Sequence, residues 1–201
     1  MVAEFRYREI DSLRGLAVLL MVMVHAAAIW SPTQSSDTSS LSYIVAGLGG
    51  LAAPLFITIF GWGLIKSRSS NRANIIKAII LLILQILVNL SSPHLYQPFS
   101  PGILSLFALL IMLKPLIVKI TTNRTIFLLF WLSILLFYGV NSMLFSIQGE
   151  NNWDFRTNTE NLSTVISHLI LTGTYPVLPW ICYAVVGAFL GSSITEGGKT
   201  L

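Results

Sequence analysis

Residues 15–30, 75–90 and 126–145 contain no Asp, Glu, Lys or Arg apart from Lys77. Most of these runs approach the roughly 20 residues that carry a helix across a bilayer. A water-soluble domain has nowhere to bury several bare apolar helices of that length, so the runs make lipid the solvent. In lipid the backbone must satisfy its own polar groups, and long runs without two-residue alternation do so as α-helices. Composition agrees, with 54% hydrophobic and 10% charged residues over 201 positions, far from a soluble average. The net charge of +4 does not indicate a nucleic-acid partner, because the Lys and Arg residues lie in short clusters between apolar runs rather than on one face. Cys182 is the single cysteine, so no intrachain disulfide forms. The first run reads as a retained span and not a cleaved leader, since Glu4, Glu9 and Asp11 mix the charge before it and His25 interrupts it.

Six spans are predicted, near residues 13–31, 42–65, 75–91, 101–119, 126–145 and 176–194. The connections alternate in charge. Residues 31–40 and 91–100 carry no Lys or Arg, whereas residues 66–77 carry four, and Arg124 follows closely on Lys114 and Lys119. The fifth connection, residues 146–175, holds Glu150, Asp154, Arg156 and Glu160, and Lys199 lies beyond the last span. The positive-inside rule then puts both termini in the cytoplasm. The expectation is an all-α, multi-pass membrane protein, a polytopic bundle of about six helices forming one domain over 1–201, with a cell membrane as its location.

The second span is rich in small residues, among them Gly47, Gly49, Gly50 and Gly61, and contains Pro54; small residues let membrane helices approach closely. Gln85 and Asn89, one turn apart in the third span, are expected to join helices by hydrogen bonds. In the long outer connection the apolar pattern of residues 162–171 predicts an interfacial helix.

The segment Asp11-Ser12-Leu13-Arg14-Gly15, followed by His25, carries the chemistry. Arg14 and His25 are eleven residues apart, close to three whole turns and about 16 Å of rise, so they share a face. Asp11, one turn before Arg14, can orient the guanidinium by a charge-assisted hydrogen bond. Each residue has a plain structural role open to it, as a snorkelling anchor or an interhelical donor. Together they suit a group transfer: a fixed cation at the cytoplasmic mouth to bind a phosphate-bearing donor, and an imidazole deeper along the same face as general base.

Asp11, Arg14, Gly15 and His25 resemble the opening of the membrane acyltransferase superfamily that includes acyltransferase-3 O-acetylases and heparan-alpha-glucosaminide N-acetyltransferase. Three further stretches are similar to the latter branch and fall in the same order. They are Ala53-Pro54-Leu55-Phe56 with Gly61, Pro101-Gly102-Ile103-Leu104, and Tyr175-Pro176-Val177-Leu178-Pro179-Trp180 with Gly187. The resemblance implies transfer of an acyl group, usually acetyl, from cytoplasmic acyl-CoA to a sugar hydroxyl or amine presented outside, with acetyl-CoA as co-substrate and no metal. Arg14 with Asp11 would hold the donor and His25 would be catalytic. One branch places a histidine in the connection after the first span, and residues 31–40 contain none, which leaves His25 as the candidate. Many members have more spans, so the resemblance makes this chain a shortened member, a fragment or part of an assembly.

His94, Tyr175 and Trp180 are candidates for the acceptor side, although a loop histidine is commonly just exposed and the two aromatics also suit an interfacial belt. His168 lies on the stretch expected at the membrane surface. The expected partners are the lipid bilayer, acyl-CoA and a sugar-containing acceptor, with a second copy of the chain admissible and no nucleic acid. Two other functions fit the same features: a proton-coupled transporter with His25 as relay, and a noncatalytic membrane subunit on the same scaffold.

Overall fold

The computed structural model describes residues 7–30, 40–144, 149–150 and 152–193. All regular structure among them is helical, with no strand. Three long helices come first: α1 (Arg8–Trp30), α2 (Ser40–Lys66) and α3 (Asn71–Ser91). Each contains a stretch long and apolar enough to cross a membrane. Then come α4 (Ile103–Met112), α5 (Lys114–Thr122), α6 (Arg124–Leu144) and α7 (Trp153–Thr157). Next is α8 (Leu162–Thr172), whose last turn, His168–Thr172, is π-helical, and α9 (Val177–Ser193) closes the described chain. By length and composition the described residues hold three candidate spans, or up to five if the bent pairs α4–α5 and α8–α9 each count as one.

The predicted fourth span, residues 101–119, is not one straight rod. It breaks at Leu113, and α4 and α5 meet at 64°. The cause is Pro115 in the first turn of α5, which has no N–H to donate and whose ring would strike the carbonyl four residues back. α4 is buried nearly all round, with Leu106, Phe107, Leu110 and Ile111 in the core. α5 instead buries only Ile117 and Ile120 and leaves Lys119 exposed.

The most extensive helix pair is α2 with α9. A Cβ placed on Gly61 would collide with the Ala184 carbonyl, and one on Gly187 with the Thr58 carbonyl, so the two backbones touch. Ile181, Ala184, Val185 and Ala188 line the α9 side of this contact and are buried. α1 packs along α2 in the opposite direction, with Val24 seated on Gly49 and Arg14 beside Gly63. The rest of α1 is open, and Leu16, Leu19 and Val22 face outward as a lipid-facing helix would.

The helix-joining role expected of Gln85 and Asn89 is found for Gln85, which reaches α4, whereas Asn89 binds the connection ahead of α4. Gln85 Nε2 donates to Asn89 Oδ1 (2.9 Å), and Asn89 Nδ2 donates to the carbonyls of Pro98 (3.0 Å) and Ser100 (2.8 Å). Leu104 N donates to Gln85 Oε1 (3.2 Å). Gly102 is required here, because a Cβ would fall 2.7 Å from the Gln85 amide. Buried amides paired in this way escape the cost of unsatisfied polar groups.

Residues 92–102 are in turn bound to residues 152–175. Ser100 Oγ donates to the Thr157 carbonyl, Trp153 Nε1 to the Leu95 carbonyl (2.9 Å), and Thr174 Oγ1 to the Pro101 carbonyl (3.0 Å). Gln97 Oε1 accepts from both N and Oγ1 of Thr159, at 2.7 and 2.8 Å. These two connections form a single cap. α8 supplies the helix predicted over residues 162–171, but His168 is not on a surface: it is only 2% exposed, with Nδ1 2.7 Å from Thr172 Oγ1 and its ring edge-on to Phe155.

Gly187→Ala is expected to destabilise the chain by about 1–3 kcal/mol, since the added methyl meets backbone that cannot yield. Gly47→Ala, where nothing lies within 4 Å of the added Cβ, should leave the unfolding midpoint in detergent nearly unchanged.

Candidate active site

α1 to α4 enclose a cleft of about 450 Å³. Its wall is apolar, built from Val18, Phe56, Ile59, Phe60, Leu64 and Ile111, and its polar groups come from Arg14, Ser67, Asn74 and Lys77. Phe60 stacks on Phe107 with centroids 4.4 Å apart, which ties the α2 wall to α4. Gly63 leaves the middle of the wall open beside the Arg14 guanidinium. Arg14 Nη1 lies 3.1 Å from Asp11 Oδ1, the one-turn pairing that the spacing predicted.

The α2–α3 turn is built from serines and holds two more cations in place. Lys77 Nζ donates to Ser69 Oγ (2.8 Å), Ser69 and Ser67 share a hydroxyl hydrogen bond (2.7 Å), and Lys114 Nζ donates to the Ser67 carbonyl (2.5 Å). Ser70 caps α3 through Ala73 N. The two ammonium groups are thus tied to one turn, and the cleft-lining residues, which include Lys77, include no carboxylate. Sequence reasoning took Lys77 and Lys114 for topology signals only. The available clue was that Lys77 is the one charge inside an otherwise bare run, a costly place for a charge without a use.

His25 is not part of the cleft. It lies exposed on α1, further along the stripe that starts with Arg14 and Val18, about 16 Å from Arg14 by helical rise. Its Nδ1 is 2.7 Å from the Met21 carbonyl. A carbonyl only accepts, so Nδ1 donates this bond, and in the neutral imidazole the lone pair is then on Nε2. The helix thus presents the basic nitrogen outward from its own backbone.

Tyr175 and Trp180 pack together with centroids 5.3 Å apart, and Trp180 continues to Tyr183 at 5.6 Å. His94 is exposed in the 92–102 connection and is in none of these ring contacts.

A family model described as heparan-alpha-glucosaminide N-acetyltransferase, catalytic, matches residues 6–200. The chain belongs to this family. No curated protein and no solved structure gives a significant match. Membership in the heparan-alpha-glucosaminide N-acetyltransferase family, together with several apolar helices, makes the chain a multi-pass membrane protein and suggests a membrane acetyltransferase. Family-like residues recognised in the sequence now have physical roles: Gly61 and Gly187 admit the α2–α9 contact, Gly102 admits the Gln85 amide, and Arg14 borders the cleft.

Gly63 lines the cleft, and a Cβ added there has only the Arg14 guanidinium, at 3.8 Å, within 4 Å; Gly63→Leu extends a side chain from that point. It is expected to eliminate saturable binding of acetyl-CoA, used as the probe in calorimetry, while shifting the unfolding midpoint little. Undiminished binding would mean that the probe's site is elsewhere.

Proposed function

We propose that the chain is a transmembrane acyltransferase, one domain over 1–201, that moves an acetyl group from cytoplasmic acetyl-CoA to a hydroxyl or amine of a sugar-containing acceptor on the outer side. The observation that carries this reading is the cleft itself: cationic where Arg14 and Lys77 stand, apolar beneath, and lined from α1 by Arg14 and Val18, on the helix face that also bears His25. A donor with a charged nucleotide end and a long, mostly apolar arm has that polarity. Arg14, oriented by Asp11, holds the charged end, and the arm runs along α1 toward His25.

The chemistry follows from the tautomer. His25 Nε2 takes the proton from the acceptor O–H or N–H as the acceptor heteroatom attacks the thioester carbonyl. The new C–O or C–N bond forms, the C–S bond breaks, and the departing thiolate recovers the proton from the imidazolium. A route through an acyl-imidazole uses the same nitrogen as nucleophile. The cap, with Tyr175 and Trp180 at its base, faces the acceptor, where aromatic rings suit sugar faces; His94 contributes at the mouth.

The orientation belongs to the same proposal: six spans, both termini cytoplasmic and a cell membrane as location. Its support is charge. Ser67, Lys77 and Lys114 are joined at one end of the bundle, while residues 91–100, in the cap, carry no Lys or Arg.

His25→Ala should lower acetyl transfer by about 10²–10⁴-fold, the usual worth of a general base, with the unfolding midpoint retained. The assay follows release of free thiol from acetyl-CoA in the presence of amino-sugar acceptors. Wild-type turnover by this variant would remove His25 from the mechanism. Arg14→Ala should weaken acetyl-CoA binding by about tenfold or more, the worth of a lost charge-assisted hydrogen bond.

A further inference from the structure

The geometry points to a phosphate clamp made by Lys77 and Lys114 across the serine turn that joins α2 to α3. The donor's nucleotide phosphates are its occupant, an assignment that rests on the donor reading above. Two ammonium groups on separate helices are each fixed by a hydrogen bond to the same turn, Lys77 to the Ser69 hydroxyl and Lys114 to the Ser67 carbonyl. The Ser67–Ser69 hydroxyl bond makes that turn one rigid unit. Gathering like charges costs stability unless an anion shares them, and the side chains that line the cleft beside Lys77 include no carboxylate. Asp11, the nearby carboxylate, is engaged by Arg14.

The clamp has the character of a phosphate site in three further respects. Arg14 contributes a third cation along the cleft. α3 begins at this turn, so the positive end of its dipole adds to the field. Asn74, in the first turns of α3, lines the same cleft and offers an amide donor. A lone carboxylate would be too small a charge to balance such a set; a nucleotide diphosphate or phosphate monoester suits it. The phosphate of an anionic lipid headgroup shares that chemistry, and an experiment separates the two sources.

Acetyl-CoA and S-acetylpantetheine, which lacks the nucleotide end, are titrated into the full chain held in nanodiscs of neutral phosphatidylcholine. Wild type is compared with Lys77→Ala, Lys77→Arg and Lys114→Ala, and each variant's unfolding midpoint is recorded. Lys77→Ala should weaken acetyl-CoA binding by about tenfold and Lys77→Arg should largely restore it. Binding of S-acetylpantetheine, however weak, should be the same in all. Because Lys77 is exposed, its variants test the clamp even if Lys114→Ala unfolds. Unchanged acetyl-CoA binding in Lys77→Ala, with Arg14→Ala still impaired, would overturn the clamp and leave the donor reading standing. If wild type binds no acetyl-CoA but binds a fluorescent phosphatidylglycerol in a Lys77-dependent manner, the phosphate site stands with a headgroup as its occupant and the donor reading falls. Binding of neither ligand would overturn both.

Discussion

The contact between α2 and α9 is the constraint on which the remaining packing depends. Between membrane helices the lipid offers no strong hydrophobic drive to associate, so close van der Waals fit has to supply it. At Gly61 and Gly187 each helix exposes bare backbone to the other's carbonyl. On α2, Phe56 and Phe60 meet Phe107 of α4, which backs the apolar wall of the cleft.

Polar satisfaction organises the other end. Gln85 and Asn89, hydrogen-bonded to each other, hold the 98–104 segment by three further hydrogen bonds, and that segment holds the rest of the cap. Each amide is 6% exposed or less, so leaving either unpaired would cost about 1–3 kcal/mol. The protein therefore has a cationic cleft at one end and a hydrogen-bonded cap at the other. α1 runs beside α2 between them, carrying Arg14 at the first and His25 toward the second.

Much of this was legible in the sequence because lipid leaves so few choices. Bare runs had to be helices, and α1, α2, α3, α6 and α9 lie where such runs occur. The Asp11–Arg14 pair followed from one-turn spacing. The break at Leu113 was written in Lys114-Pro115, but an apolar run continues through the site and masked it. Burial of His168 depends on how α7 folds back onto α8 within one connection, which no local pattern encodes. Lys77 and Lys114 are 37 positions apart in sequence; only a serine turn between helices makes them neighbours. For His25, spacing gave its stripe on α1 and could not give what the outer face of α1 meets.

One measurement tests vectorial acetyl transfer most directly. The purified chain is reconstituted into sealed vesicles that hold an amino-sugar acceptor inside, and acetyl-CoA with a labelled acetyl group is added outside only, for each of the two insertion orientations. Labelled acetyl should accumulate on the enclosed acceptor when the cleft end faces outward, with the coenzyme remaining outside. A well-folded chain that moves no label in either orientation, across a panel of hydroxyl and amine acceptors, would contradict transmembrane acyl transfer by this chain.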